Sequence, residues 1–175
     1  MKTPLRRSCL VLFSGLLLLA FPPAAEAASA DTSRYVSKAD LAKVVGTEVQ
    51  GLSSAPLEPD DELGAKQQVS IYQAGEMRIL VVVYTFPSAA AAASKITAAR
   101  VAALIDEDEP KHVKVIEEHG VGDRAFWSVA DSGVGYLVVK GNQVLVVSLV
   151  AKLPRPAASY HDSLKALAAS ASAKL

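Results

Sequence analysis

A strand-like run, RILVVVYTF, occupies residues 78–86 and is apolar on both of the faces that a strand presents. Odd-numbered residues from 79 to 83 alternate with even-numbered residues from 80 to 84, and all of them are aliphatic or aromatic. A strand that is buried on both sides has this pattern, whereas a half-exposed strand alternates apolar with polar residues. We therefore expect a central strand here, covered on both faces. Residues 143–151, QVLVVSLVA, have the same character.

The elements predicted around this strand are helices and short strands in a simple order. A first helix begins after Ser37 and ends at Gly46, a strand near residues 48–52 leads into a loop at 53–65, and a hairpin precedes a helix at 88–105. Strands near 112–118, 124–130, 135–140 and 143–151 and a final helix at 160–175 complete the chain. The expected fold is α+β, with a curved antiparallel sheet of about six to seven strands, helices mainly on one face, and two pseudo-repeated helix-plus-hairpin units.

The first 30 residues have the three parts of a secretory signal. Three basic residues precede an apolar stretch at 9–21, and small residues follow in A-x-A patterns that end at Ala27 and Ala30. The apolar stretch is too short to span a bilayer comfortably. We expect cleavage after Ala27 or Ala30, a periplasmic or extracellular location, no stable membrane span after processing, and a single domain over residues 31–175.

Charge and cysteine content exclude two classes of function. Without residues 1–30 the chain has 15 basic and 17 acidic residues, so it has no excess of positive charge for a phosphate backbone, and we expect no nucleic-acid partner. The one cysteine, Cys9, lies in the predicted signal. The exported chain would therefore have no disulfide, no cysteine nucleophile and no thiolate metal site.

The second half of the chain carries two turn motifs. Residues 120–127 read GVGDRAFW, and residues 137–142 read LVVKGN. With these motifs the chain resembles small exported bacterial domains that have a Gly-Leu/Val-Gly-Asp-x-Ala turn and a hydrophobic hairpin closed by Lys-Gly, and that are similar in layout to the Mog1/PsbP-like α+β sandwich. The resemblance implies an interaction module and transfers no catalytic residue. Many of those domains have a cysteine where this chain has Ser70, so their disulfide is absent.

No pattern in the sequence predicts catalysis or metal binding. His112, His119 and His161 are the three histidines, and on one strand His112 and Glu118 would be about 20 Å apart at ~3.3 Å per residue, too far for one metal ion. The adjacent Glu117 and Glu118 would point to opposite faces of a strand, so they cannot act as a carboxylate pair. No serine lies in a Gly-x-Ser-x-Gly turn. We predict no catalytic residue, no metal ligand and no cofactor.

Two functions remain open at this point. The first is a non-enzymatic binding module of the cell envelope or the outside of the cell, whose partner is an envelope protein or a small apolar ligand. The alternative is a small exported enzyme, a hydrolase, with its site near His119 and Asp123.

The binding function needs a surface, and the sheet predicts one. Its face without the long helices has few polar positions, so the first helix, the loop at 53–65, a ligand or a second copy must cover it. We expect self-association or ligand capture there. The predicted interaction face consists of Val81, Val83, Tyr84, Val144, Val146 and Trp127.

Overall fold

The structure, a computed structural model, describes residues 32–106 and 109–175. The predicted signal, residues 1–30, therefore lies outside the described residues. The helices are α1 (Lys38–Val45), α2 (Ala89–Lys95), α3 (Ala98–Ile105) and α4 (His161–Ser172), with short 3-10 turns at Thr32–Arg34, Pro110–His112 and Ala157–Tyr160. The strands are β1 (Gln50–Asp60), β2 (Ala65–Ala74), β3 (Met77–Thr85), β4 (Lys114–Glu118), β5 (Arg124–Ala130), β6 (Gly133–Lys140) and β7 (Gln143–Val150).

These seven strands form one antiparallel sheet in the order β1-β2-β3-β7-β6-β5-β4. The strand that the sequence places centrally, β3, lies between β2 and β7, with Val82 opposite both Val69 and Val146. The predicted α+β class with an open antiparallel sheet is confirmed. None of the helices in the described part of the chain reaches the length and hydrophobicity that a bilayer crossing requires.

The predicted repeat is visible in the strands and not in the helices. Strands β1–β3 and β5–β7 are both antiparallel meanders, and they meet where β3 pairs with β7. If a two-fold axis through the β3–β7 pair related the two halves, the helices of both halves would lie on the same side of the sheet. Instead, α1 packs in one core cluster, while α2 and α3 pack in another.

One side of the sheet, which we call the first face, carries Ile79, Val81 and Val83 of β3. Helix α4 lies on β6 and β7, α1 packs on α4, and the turn at Thr32–Arg34 covers β2 and β3. Together they bury a continuous core that extends to Tyr72 on β2 and to Trp127 on β5. The first face is thus covered across most of its width.

The opposite side, the second face, carries Leu80, Val82 and Tyr84 of β3 and is covered by α2 and α3. Helix α3 packs on β4, β5 and β6, and α2 packs on β6 and β7. The prediction that helices lie mainly on one face is therefore wrong. Because β3 and β7 are apolar on both sides, each side needs its own helical layer.

Local sequence explains where the helices begin and end. The predicted start of α1 is confirmed, since the Ser37 side chain accepts a hydrogen bond from the Asp40 N–H and Asp40 bonds back to Ser37. Gly46 ends α1 in the left-handed conformation at φ 78°. The single helix predicted at 88–105 is instead two helices, because the Thr97 hydroxyl caps a new one by accepting from the Arg100 N–H.

The loop predicted at 53–65 is mostly strand. Residues 50–60 form β1, which pairs with β2 through two register shifts, one between Gly51 and Ser53 and the other between Ala55 and Glu58. Only the following turn remains irregular. Pro56 and Pro59 suggested a loop, but proline is compatible with an edge strand when its missing N–H would point away from the sheet.

Candidate functional site

The six residues of the predicted interaction face do not form one surface. The register of β3 and β7 sets Val81 opposite Val147 and Tyr84 opposite Val144, so neighbouring members of the set point to opposite sides. Val81, Val83 and Trp127 lie in the core of the first face, and Tyr84, Val144 and Val146 lie in the core of the second face. All six are buried. The prediction is wrong because the sequence does not show which residues of β7 share a face with Val81 and Val83. That depends on the long-range register between β7 and β3, and a register shift of one residue exchanges the two faces.

The structure does leave apolar residues uncovered on the second face, at different positions. Val69 and Ile71 of β2 lie opposite Val82 and Leu80 of β3 and form a two-by-two group. We call these four residues the open block. Each is partly exposed, whereas Val146, the neighbour of Val82 on β7, is only 6% exposed.

The open block exists because the helical layer covers half of the second face. Within the described residues, the main helix contacts of this face are confined to β4–β7. Beneath those helices Phe126 and Leu137 are buried, at 0% and 2% exposure. The strands β2 and β3 continue the same sheet beyond the helices, so the side chains of the open block are only partly covered, although Val82 still packs against the second-face core.

Charged residues mark the two ends of the open block. Arg78 lies on β3 two residues before Leu80 and is exposed. At the other end the turn after β1 folds over Tyr84, with Leu63 2% exposed and Glu62 paired to Arg100 of α3 at 2.5 Å. This turn presents the exposed carboxylate of Asp61. The open block therefore lies between a basic and an acidic end.

Strand β1 borders the open block on the outside of the sheet. Most of its residues are exposed, and Leu52 and Leu57 are exposed by 51% and 47%. Its two register shifts and the prolines at 56 and 59 interrupt the row of free backbone groups that an edge strand offers. Such features reduce strand-to-strand association at an edge.

The hydrolase site predicted near His119 and Asp123 does not bring either side chain against a catalytic partner in the described part of the chain. Both side chains are exposed. The Asp123 carboxylate accepts a hydrogen bond of 2.7 Å from the Gly141 N–H and lies 3.6 Å from the Lys140 amine. Asp123 thereby joins the 120–123 turn to the β6–β7 turn, which is a structural use of the carboxylate.

A second polar feature, which the sequence did not reveal, lies on the first face at the end of β4. Glu118 accepts hydrogen bonds from the Tyr136 hydroxyl at 2.8 Å and from the Lys165 amine at 2.9 Å, and it lies 2.5 Å from His161 Nε2. Trp127 packs edge-to-face on the His161 ring at 5.2 Å. We call Glu118, Tyr136, His161 and Lys165 the α4 cluster.

The charges of the α4 cluster are strongly coupled. Burial alone would raise the pKa of Glu118, but the hydrogen bonds from Lys165, His161 and Tyr136 outweigh it and lower the pKa to about 2. The hydrogen bond to Glu118 raises the pKa of His161 above its ordinary value, against the opposing effect of burial. Burial and the nearby carboxylate also raise the pKa of Tyr136. The cluster contains an acid, a base and a phenol, but the hydrogen bonds of Tyr136, His161 and Lys165 all converge on Glu118.

Sequence reasoning could not assemble this cluster because His161 and Glu118 are 43 positions apart. The expected separation of Glu117 and Glu118 to opposite faces holds, since Glu117 bonds Arg124 at 2.7 Å whereas Glu118 faces α4. Among the described residues, no group of three or more His, Cys, Asp or Glu side chains is arranged to hold a metal ion.

One surface groove elsewhere is lined by charged groups that already have partners. A groove of about 420 Å³ runs between Met77 and Arg155. There Arg155 donates to the Val44 carbonyl at 2.8 Å and stacks on Tyr160, and Lys152 pairs with Glu76 at 3.7 Å. The first contact holds the loop after β7 against α1 and the second holds it against the β2–β3 turn, so they account for the charged residues of the groove.

No family model matches this chain, and no curated protein matches it either.

Proposed function

We propose that the protein is a non-enzymatic exported binding module, and that its open block docks an amphipathic helix of a protein partner. The observation that carries the proposal is the partial exposure of Val69, Ile71, Leu80 and Val82 on a sheet face whose other half is covered by helices. Soluble proteins seldom expose a contiguous apolar patch without a use for it.

A helix fits this position better than a strand or a small molecule. The open block adjoins α2 and α3 in the same layer of the fold, and a helix packed on a sheet is the arrangement already present beside it. Strand addition at β1 is disfavoured by Pro56, Pro59 and the two register shifts. The open block lies on the surface of the sheet, whereas small apolar ligands bind in concave pockets.

The charges at the two ends indicate the partner's chemistry. In the described part of the chain, Arg78 and Asp61 form no ion pair and are exposed, so each can pair with an opposite charge of a partner. From Arg78 to Tyr84 the strand spans about 20 Å at ~3.3 Å per residue, which is the length of a helix of roughly 13 residues. We therefore propose a partner helix with an apolar face, an acidic residue at one end and a basic residue at the other.

The absence of enzymatic activity is part of the same proposal. Two observations support it. The Asp123 carboxylate accepts a hydrogen bond from the β6–β7 turn, and the Glu118 carboxylate of the α4 cluster accepts hydrogen bonds from Tyr136 and Lys165. The export signal predicted from the sequence and the resemblance to exported sandwich domains support a location in the periplasm or outside the cell. A strained, solvent-facing nucleophile or an unpaired buried acid would have favoured the hydrolase alternative.

The test is site-specific crosslinking in the native host. A benzophenone amino acid replaces Ile71 in the open block, and in a control protein it replaces Ala169, which is exposed on α4. We expect a discrete crosslinked protein from position 71 only, and mass spectrometry should map the link to a segment whose apolar residues recur every three or four positions.

Charge reversal then checks the orientation of the partner. Arg78→Glu should weaken the crosslink severalfold, while Lys111→Glu, a matched reversal of an exposed cation elsewhere, should leave it unchanged. Equal crosslinking from positions 71 and 169 would contradict the proposal. So would a product that links only to a second copy of this chain, or only to lipid.

A further inference from the structure

His161, the first residue of α4, has a hydrogen-bonding arrangement that fixes its protonation state. Its Nε2 lies 2.5 Å from a Glu118 oxygen, and its Nδ1 lies 2.8 Å from an Asp162 oxygen. Ionised carboxylates only accept hydrogen bonds, so both ring nitrogens must donate. A neutral imidazole has one N–H, and only the imidazolium has two. The geometry therefore assigns a protonated His161.

This cation occupies a position that the helix itself disfavours. The Tyr160 side chain precedes α4 and accepts no capping hydrogen bond from its first N–H groups, and the positive end of the helix dipole lies at the N-terminus of α4. Asp162 in the first turn offsets part of this, but its side chain is 98% exposed. The less exposed carboxylate of Glu118, at 14%, is the main compensating group.

Glu118 connects three elements through this cation and its neighbours. It is the last residue of the edge strand β4, and it accepts from Tyr136 on β6 and from Lys165 and His161 on α4. These groups, together with Asp162, are the titratable and charged residues that face His161. Lys165 holds the second turn of α4 independently, so the contact that depends on the imidazole proton concerns the first turn.

We propose that His161 is a proton-dependent latch that, as an imidazolium, fastens the first turn of α4 to strand β4, and that this latch weakens when the ring loses its proton and with it the charge attraction to Glu118. Deprotonation leaves one ring nitrogen as an acceptor facing a carboxylate, so one of the two hydrogen bonds becomes a repulsive contact. The sign follows from the raised pKa of His161: the stabilisation is complete below the ordinary histidine pKa and is lost as pH rises through the folded value.

Trp127 reports directly on the latch. It is the only tryptophan in the chain, and its ring meets the His161 ring edge-to-face. Because protonated imidazole quenches indole fluorescence, the emission of the full chain should rise in one step as pH increases. We expect the midpoint to lie above about 6.5, the value of an unperturbed histidine. Amide exchange in the first turn of α4, measured in the same samples, should accelerate across the same step.

Variants separate the latch from a purely structural contact. His161→Gln should abolish the fluorescence step, and Glu118→Gln should move its midpoint down. Asp162→Asn should move it less, because the Asp162 carboxylate is exposed. His112→Gln and His119→Gln are matched controls and should leave the step unchanged.

The proposal also has a test that needs no variant. In the wild-type protein, NMR titration of the His161 imidazole should give a midpoint above about 6.5, the value of an unperturbed histidine. A His161 midpoint at or below that of an unperturbed histidine would overturn the proposal. Exchange in α4 that does not change across the titration would also overturn it.

Discussion

The two faces of the sheet belong to the same apolar strands but are covered by helices to different extents. Ile79 and Leu80 are adjacent on β3, and Ile79 is fully buried under the first face's cover while Leu80 is partly exposed in the open block. The covers differ in extent, since α1, α4 and the Thr32–Arg34 turn reach β2, whereas α2 and α3 stop at β7. One strand thus has a closed core on one side and partly exposed apolar residues on the other.

The largest expected effect comes from truncating these two neighbours. Ile79→Ala should lower the free energy of unfolding by about 3–4 kcal/mol, because it opens a cavity in a closed core. Leu80→Ala should cost only about 1 kcal/mol, since part of the side chain is already in water. Urea unfolding of both variants measures the difference. Equal losses would show that the second face is as closed as the first.

The next effect concerns how closely α3 approaches the covered half of the second face. A Cβ at Gly135 would lie 2.7 Å from Ile105 Cδ1 and 2.9 Å from Ser128 Oγ. Gly135→Ala should therefore cost about 1–3 kcal/mol through overpacking. Adding Ile105→Val removes the clashing Cδ1 and should recover part of the loss. Thermal melts of the single and double variants decide, and a double variant no more stable than the single one would refute this account of α3 packing.

The next prediction is a pH-dependent loss of stability at Glu118, where β4 ends on the first face. Its size should be similar to or smaller than the loss expected for Gly135→Ala. The pKa of Glu118 is about 2 in the fold and 4.5 ordinarily, so its contribution is present above pH 4.5 and disappears as pH falls towards 2. Glu118→Gln should remove about 1–3 kcal/mol at pH 6 and much less near pH 2. Unfolding measured at both pH values tests this. A loss that is independent of pH would point to packing and away from charge.

The smallest effect is expected at the rim of the open block. Leu52→Ser and Leu57→Ser should change the free energy of unfolding by no more than about 0.5 kcal/mol, because both side chains are largely exposed on β1. Losses above 1 kcal/mol in urea titrations would mean that β1 is packed more tightly than its exposure indicates.

The sequence was sufficient for the elements whose signals are local. The Ser37 cap, the Gly46 stop and the both-sided apolar pattern of β3 depend on residues a few positions apart, and the structure has each of them. The Thr97 cap was also a local signal, but the alanine-rich composition on either side of it concealed the break between α2 and α3.

The candidate sites depended on information that no local pattern contains. Whether Val144 or Leu145 joins Val83 on one face depends on the register between strands some 60 residues apart. The open block depends on where α2 and α3 stop on the sheet, and the α4 cluster on how the start of α4 is placed next to the end of β4. Each of these depends on how distant parts of the chain pack together. The sequence therefore predicted an apolar surface on the sheet but assigned it to the wrong residues.

The β3–β7 pair has a consequence for the order in which the chain acquires its structure. Val82 meets Val146 across 64 residues, so this contact closes a long loop, and such pairings form late and slowly. During synthesis, β1–β3 can form a meander from neighbouring residues well before β7 exists. Until β7 arrives, β3 is an edge strand that is apolar on both sides, which is the kind of intermediate that aggregates. The strand that holds the finished sheet together is therefore also the segment that most needs protection while the chain is incomplete.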